Sequence, residues 1–132
     1  MRPATLAEAI DRIRGGVPQE KALPELLDTF YLAPTPADQL AALRDEPRLS
    51  GDMRLDAFAA GVAEYLARQL RLPEIPEWVF GPSRYLERPW HVAPFDDPAM
   101  REYLTWASPA EFRSRNIFTE ERPLRRARMQ TP

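Results

Sequence analysis

The sequence predicts an all-α protein: a compact single-domain bundle of about six short helices around a central helix at about residues 53–71, with proline-rich joints. Three observations carry this reading. Apolar residues recur at three- and four-residue spacing through most of the chain. Polar cap residues stand just before the periodic runs, and 15 prolines separate one run from the next. No alternating stretch of strand length occurs, nor any internal repeat. At 132 residues the chain has the size of one domain.

The first helix is expected over residues 5–14. Thr5 followed by Glu8 fits a capping box, Leu6, Ile10 and Ile13 share a face, and Gly15-Gly16 is a stop signal. The second carries Leu26, Leu27, Phe30 and Tyr31. A proline inside a helix costs about 3 kcal/mol, so Pro24 is expected to open this helix, which is placed at 24–32. Thr35-Pro36-Ala37-Asp38 starts a third, over 36–46, with Leu40 and Leu43 inward. Asp52 then caps the central helix, whose Leu55, Phe58, Ala59, Val62, Leu66 and Leu70 share a face. Gly61 at its middle suggests a close packing partner.

Residues 76–90 form an aromatic segment that cannot be one helix, because Pro76, Pro82 and Pro89 interrupt it. It is expected to buckle across the central helix, with short turns at Pro76-Glu77-Trp78 and around Ser83-Arg84-Tyr85. Asp97-Pro98 opens another helix, over 98–107, with Met100, Tyr103, Leu104 and Ala107 inward. Ser108-Pro109-Ala110-Glu111 reads as a serine cap with proline at the first helical position, and Asn116 suits a left-handed C-terminal cap. Residues 119–132 are expected to form a basic tail.

Composition excludes several chemistries. There is no cysteine and one histidine, His91, so thiolate nucleophiles and sulfur-based zinc sites are ruled out, and no metal, cofactor or catalytic group is predicted. Asp96-Asp97 and the Glu77, Glu87 pair are the only carboxylate groupings, and nothing in their spacing brings two acids together. A small hydrolase is therefore the weakest reading. No apolar run approaches the length needed to span a bilayer, and the N-terminus lacks a signal-peptide core, so a cytoplasmic location is expected.

Charge is unevenly spread: residues 1–100 carry 11 basic and 16 acidic side chains, residues 101–132 carry 7 and 4. That surplus is small for a duplex-binding protein. The helix pair 36–46 and 53–71 has a second member too apolar and acidic for a recognition helix.

What remains are binding candidates. Nine of the thirteen aromatic residues lie between Trp78 and Phe118. Most are expected to pack over the central helix, with Trp90 and Phe95, beside His91, partly exposed as interface anchors. Arg113 and Arg115 flank the end of the short helix. Two apart, they point to different sides, so one is expected to make an internal ion pair, with a surface contact to a partner or nucleic acid as the alternative. Arg122, Arg125, Arg126 and Arg128 form an arginine-rich tail expected to be solvated, with contact to phosphates or an acidic protein face as the alternative.

Pro76-Glu77-Trp78, Arg84-Tyr85-Leu86-Glu87-Arg88-Pro89-Trp90 and Ser108-Pro109-Ala110-Glu111-Phe112-Arg113-Ser114-Arg115-Asn116-Ile117-Phe118 resemble a family of small bacterial helical proteins. Members look like antitoxin or partner subunits of nucleotidyltransferase-like toxins encoded nearby. The resemblance spans nearly the whole chain, although His91 stands where phenylalanine is expected. It implies a non-catalytic module that binds and regulates another protein; the contact residues expected from the reading of the side chains above are Trp90, His91, Phe95, Arg113, Arg115, Arg125 and Arg126. The alternative expectation is a nucleic-acid-associated regulator using the arginine-rich C-terminus.

Overall fold

A single helix, α4 (Met53–Gln69), is buried on every side from Leu55 to Ala67 in the computed structural model, which describes residues 1–126. The predicted central helix is thus confirmed, and it is more enclosed than a one-faced helix, since Asp56 and Glu64 lie within it at 5% and 6% exposure. Asp52 caps it through the amides of Arg54 and Leu55. Leu70, expected inward, lies beyond its last turn and is exposed.

Three helices precede it: α1 (Leu6–Arg14), α2 (Gln19–Leu32) and α3 (Pro36–Arg44). They pack on one another, and α1 also meets α4. Thr5 accepts from the Glu8 amide, while the Glu8 carboxylate returns to the Ala4 amide. Thr35 accepts from the Asp38 amide, as its position before Pro36 predicts. α2 begins five residues before Pro24. The proline sits inside it, tolerated because Ala22 and Leu26 are fully buried on either side. Burial of the flanking turns outweighs the one backbone bond that proline removes.

The second half of the chain is made of short pieces. Two 3₁₀ turns (Glu77–Phe80 and Pro82–Arg84) lie against α4, followed by β1 (Trp90–His91), α5 (Pro98–Ala107), α6 (Ala110–Arg113) and β2 (Ile117–Phe118). The two strands pair in parallel, Trp90 with Ile117 and His91 with Phe118. A two-residue strand has no period to read, which is why the all-α expectation contains no trace of it. Phe112 of α6 lies so close to α4 that a Cβ on Gly61 would stand 2.7 Å from its ring. That is the close partner Gly61 implied. Asn116 has φ +64°, the left-handed cap expected of it.

Ser108 corrects the sequence reading. It does not cap α6, whose cap position is held by Pro109 without a side-chain bond. The buried Ser108 hydroxyl instead donates to the Ile117 carbonyl and accepts from the Thr119 amide, tying the start of α6 to β2. No helix among the described residues is long and apolar enough to cross a membrane.

Candidate functional site

The aromatic segment is held down by two arginines. Arg84, in the second 3₁₀ turn, is completely buried. Its guanidinium donates to the carbonyls of Pro47 (2.6 Å) and Asp56 (3.2 Å) and to the Glu46 carboxylate (3.0 Å). It also lies over the Trp78 ring, 4.8 Å from the centroid. Trp78 in turn donates its indole N–H to the Leu43 carbonyl. The aromatic buckle is thereby fastened to the loop after α3 as well as to α4.

Arg115 is equally buried. It donates to Glu64 of α4 at 2.6 Å, to the Glu111 carbonyl at 2.7 Å and to the Val79 carbonyl at 2.7 Å, and it stacks on Tyr85. Arg68 pairs with the other Glu64 oxygen at 2.9 Å. Both buried guanidinium groups leave Nε without an acceptor. The backbone completes the join: the Leu86 amide donates to the Arg115 carbonyl, the Asn116 side chain to the Leu86 carbonyl, and the Trp90 amide to the Asn116 carbonyl.

Arg115 was expected at a partner interface, and that expectation is overturned. A side chain with 0% exposure, held by three charge-assisted bonds, is out of a partner's reach. It is the internal member of the Arg113, Arg115 pair. Arg113 is exposed and donates to the Ser108 carbonyl. In the tail, Arg126 makes a two-point pair with Asp28 of α2 at 3.0 and 3.2 Å. Arg122 and Arg125 are exposed, and Arg128 lies outside the described residues. Arg126 therefore anchors the chain end to α2 instead of projecting with its neighbours.

Trp90, His91 and Phe95 do come together. Trp90 is half-buried, edge-on to Phe58 and beneath the Arg54 guanidinium. The His91 ring stacks on Phe118 at 4.9 Å, and its Nε2 lies 3.2 Å from the Thr105 hydroxyl. Phe95 stands in solvent at 61% exposure. These residues border a depression of about 350 Å³ that also includes Arg54, Pro89 and Arg101. A larger one, about 930 Å³, adjoins it through Arg54 and Pro89 and runs along Leu49, Met53, Tyr85 and Leu86. A third, about 470 Å³, adjoins through Ala93 and reaches Met100 and Tyr103. The three neighbour one another along the chain from residue 82 to residue 95, the first two sharing Arg54 and Pro89 and the third sharing Ala93 with the first.

The groove combines apolar anchors with charge. Met53 is 75% exposed and Leu49 53%. Arg54 and Arg88 have no ion-pair partner among the described residues, whereas the Asp52 and Asp56 carboxylates are occupied by backbone amides. Asp96 pairs with Arg101, and Asp97 caps α5. No acidic pair is assembled from Asp96 and Asp97, and no group of three His, Asp or Glu residues among those described stands close enough to hold a metal.

Sequence reasoning missed the buried Arg84, Leu49 and Met53 on the groove, and exposed Tyr103 and Trp106 on α5. Tyr103 was expected inward, yet α5 packs chiefly on the two strands and buries Leu104 alone. Comparison with protein-family models, with curated proteins and with solved structures found no match.

Proposed function

We propose that the protein is a non-catalytic binding module that seats a segment of another protein in the groove along residues 82–95. The observation that carries this reading is the succession of three neighbouring depressions, bordered by exposed Met53, Leu49 and Phe95 and sharing Arg54, Pro89 and Ala93 between them. Apolar anchors around a cation are the ordinary composition of a protein interface, and an arrangement this open suits a chain segment better than a small molecule. An antitoxin-like role toward a toxin or nucleotidyltransferase encoded nearby is the form of this proposal that the motif resemblance supports. The same proposal places the protein in the cytoplasm of a bacterium.

The test is co-expression with the product of the adjacent gene, followed by purification through a tag on one chain. A complex is expected, and Met53→Asp or Phe95→Ala should weaken it at least tenfold, since an interface anchor is worth about 1.4 kcal/mol or more. Both side chains are exposed, so the free variants should melt as wild type does. Copurification that ignores both substitutions would overturn the groove assignment, and failure to form a complex would count against that partner. Nucleic-acid binding is the second reading, and it rests on exposed Arg113, Arg122 and Arg125. Its test is retardation of DNA or RNA across a salt series, with none at low salt refuting it.

A further inference from the structure

The three depressions along residues 82–95 differ in what lines them, and they stand in a definite order. The one at Trp90 is in the middle, since it shares Arg54 and Pro89 with the largest and Ala93 with the third. Its walls hold Arg54 of α4, His91 of β1 and Arg101 of α5, two guanidinium groups and an imidazole from three elements, against the carboxylate of Asp96. The largest is lined by Leu49, Met53, Tyr85 and Leu86, with Glu87 and Arg88 balancing each other and the Asp52 and Asp56 carboxylates taken by backbone amides. The third has Val92, Pro94, Met100 and Tyr103, with Glu120. Positive charge is therefore concentrated between two mainly apolar ends.

Given the protein-binding reading above, on which this rests, we propose that the segment seated here carries an aspartate or glutamate between two apolar residues, and that Arg54 and Arg101 receive its carboxylate. Arg54 pairs with no carboxylate among the described residues. Its guanidinium lies 5.2 Å from the centre of the Trp90 ring. It stands in the first turn of α4, where the helix dipole disfavours a cation, so the helix itself gains nothing from an arginine there. Arg101 meets Asp96 at 3.0 Å through one terminal nitrogen, which leaves the rest of its fork for a second acceptor, and Asp96 is 78% exposed, so that pair is weak. His91 is a fixed wall. The Thr105 hydroxyl donates to the Arg101 carbonyl at 2.7 Å and so accepts from the imidazole Nε2, while the ring stacks on Phe118.

Charge also says where an acid is unwelcome. Glu120 is the one charged side chain on the third depression among the described residues, so a second acid placed there meets repulsion. A basic residue in the middle would face Arg54 and Arg101 and is disfavoured in the same way. The order expected of the partner is apolar, acidic, apolar. The carboxylate then supplies register and specificity, and the apolar residues on either side supply most of the buried surface.

A random peptide library displayed on phage and panned on the purified full chain tests this without a known partner. Enriched peptides are expected to share an aspartate or glutamate between two apolar residues. A synthetic peptide of that consensus should bind with a change in tryptophan fluorescence, since Trp90 borders the site. Replacing its acid by the matching amide, or Arg54→Gln in the protein, should each weaken binding at least about tenfold, and the two together should weaken it little more than either alone, because they remove one contact. Arg54 is exposed, so Arg54→Gln should melt as wild type does, and Arg101→Gln should act in the same direction. Enriched apolar peptides with no shared acid, or losses that simply add, would overturn the carboxylate and leave the groove standing. Absence of any enriched peptide would remove both. Retention of single-stranded DNA ahead of every acidic peptide, abolished by Arg54→Gln, would give the guanidinium to phosphate and overturn the proposal as well.

Discussion

Replacing Arg115 with methionine tests whether the buried guanidinium organises the second half of the fold. Methionine keeps much of the stem and removes all three donors. Glu64 then loses its 2.6 Å partner and retains only Arg68, which is half exposed, while the carbonyls of Val79 and Glu111 lose their bonds at 2.7 Å. Each hydrogen bond to a charged group contributes about 1.5–3 kcal/mol, but the methionine regains packing against Tyr85. Breaking one side of a buried ion pair costs about 3–5 kcal/mol in measured cases, and that is the loss expected here. For a domain of this size it lowers the melting temperature by about 10–20 °C. Urea unfolding followed by tryptophan fluorescence and by circular dichroism measures it. Arg113→Met removes one bond from an exposed side chain and should cost under about 1 kcal/mol. If Arg115→Met lies within 1 kcal/mol of wild type, or Arg113→Met costs more, the structural role of Arg115 is refuted.

Gly61→Ala should destabilise. Its Cβ would stand 2.7 and 2.8 Å from two Phe112 ring carbons, and that ring is wedged between Phe58 and Tyr65. Overpacking costs about 1–3 kcal/mol, against at most about 1 kcal/mol of helix propensity regained. In urea melts Phe112→Leu should therefore cost less in the Gly61→Ala background than in wild type. At alkaline pH, burial raises the Tyr31 phenol well above its usual range, with Tyr65 adding a smaller push, and Tyr65 is itself raised. The folded state keeps a proton that the unfolded chain releases above about pH 10, so stability falls as pH rises through that point. Tyr31→Phe should make this alkaline loss shallower in thermal melts from pH 8 to 11, and an unchanged slope would contradict the burial argument.

Local chemistry was legible in the sequence wherever the partner lies within a turn. Thr5, Thr35, Asp52 and Asp97 all cap the helices their positions predicted, since a cap needs only an amide two or three residues on. Ser108 looked like the clearest of them and is not a cap, because its hydroxyl finds Ile117 and Thr119 nine and eleven residues away. Burial of Arg84 was invisible for the same reason, and which of Arg113 and Arg115 turns inward was left open. Apart from the Glu111 carbonyl four residues before Arg115, the carbonyls and carboxylates that make burial tolerable lie 28 to 51 residues distant in sequence. The groove is likewise built from residues 49–56 and 82–89, and only the loop side of it, Trp90, His91 and Phe95, announced itself.

The two halves of the chain are consequently held together by different forces. Residues 6–44 form three helices of nine to fourteen residues whose aliphatic faces meet. Elements of two to four residues, such as the 3₁₀ turns, α6 and both strands, cannot supply that kind of cooperativity. Guanidinium bonds to main-chain carbonyls replace it. A loop fixed in this way loses little freedom when it binds, which lowers the entropic cost of filling the groove beside it. Hydrogen exchange tests this point by point. The Trp90 and Val92 amides, bonded to Asn116 and Phe118 at 2.8 and 2.9 Å, should be protected although they sit in a proline-rich segment. Arg115→Met should accelerate their exchange more than tenfold, and by a larger factor than that of the α1 and α2 amides, because Arg115 touches neither helix. Acceleration spread evenly over both halves would mean that Arg115 holds the whole core, and fast exchange at Trp90 and Val92 in the wild type would mean that the loop is not fixed at all.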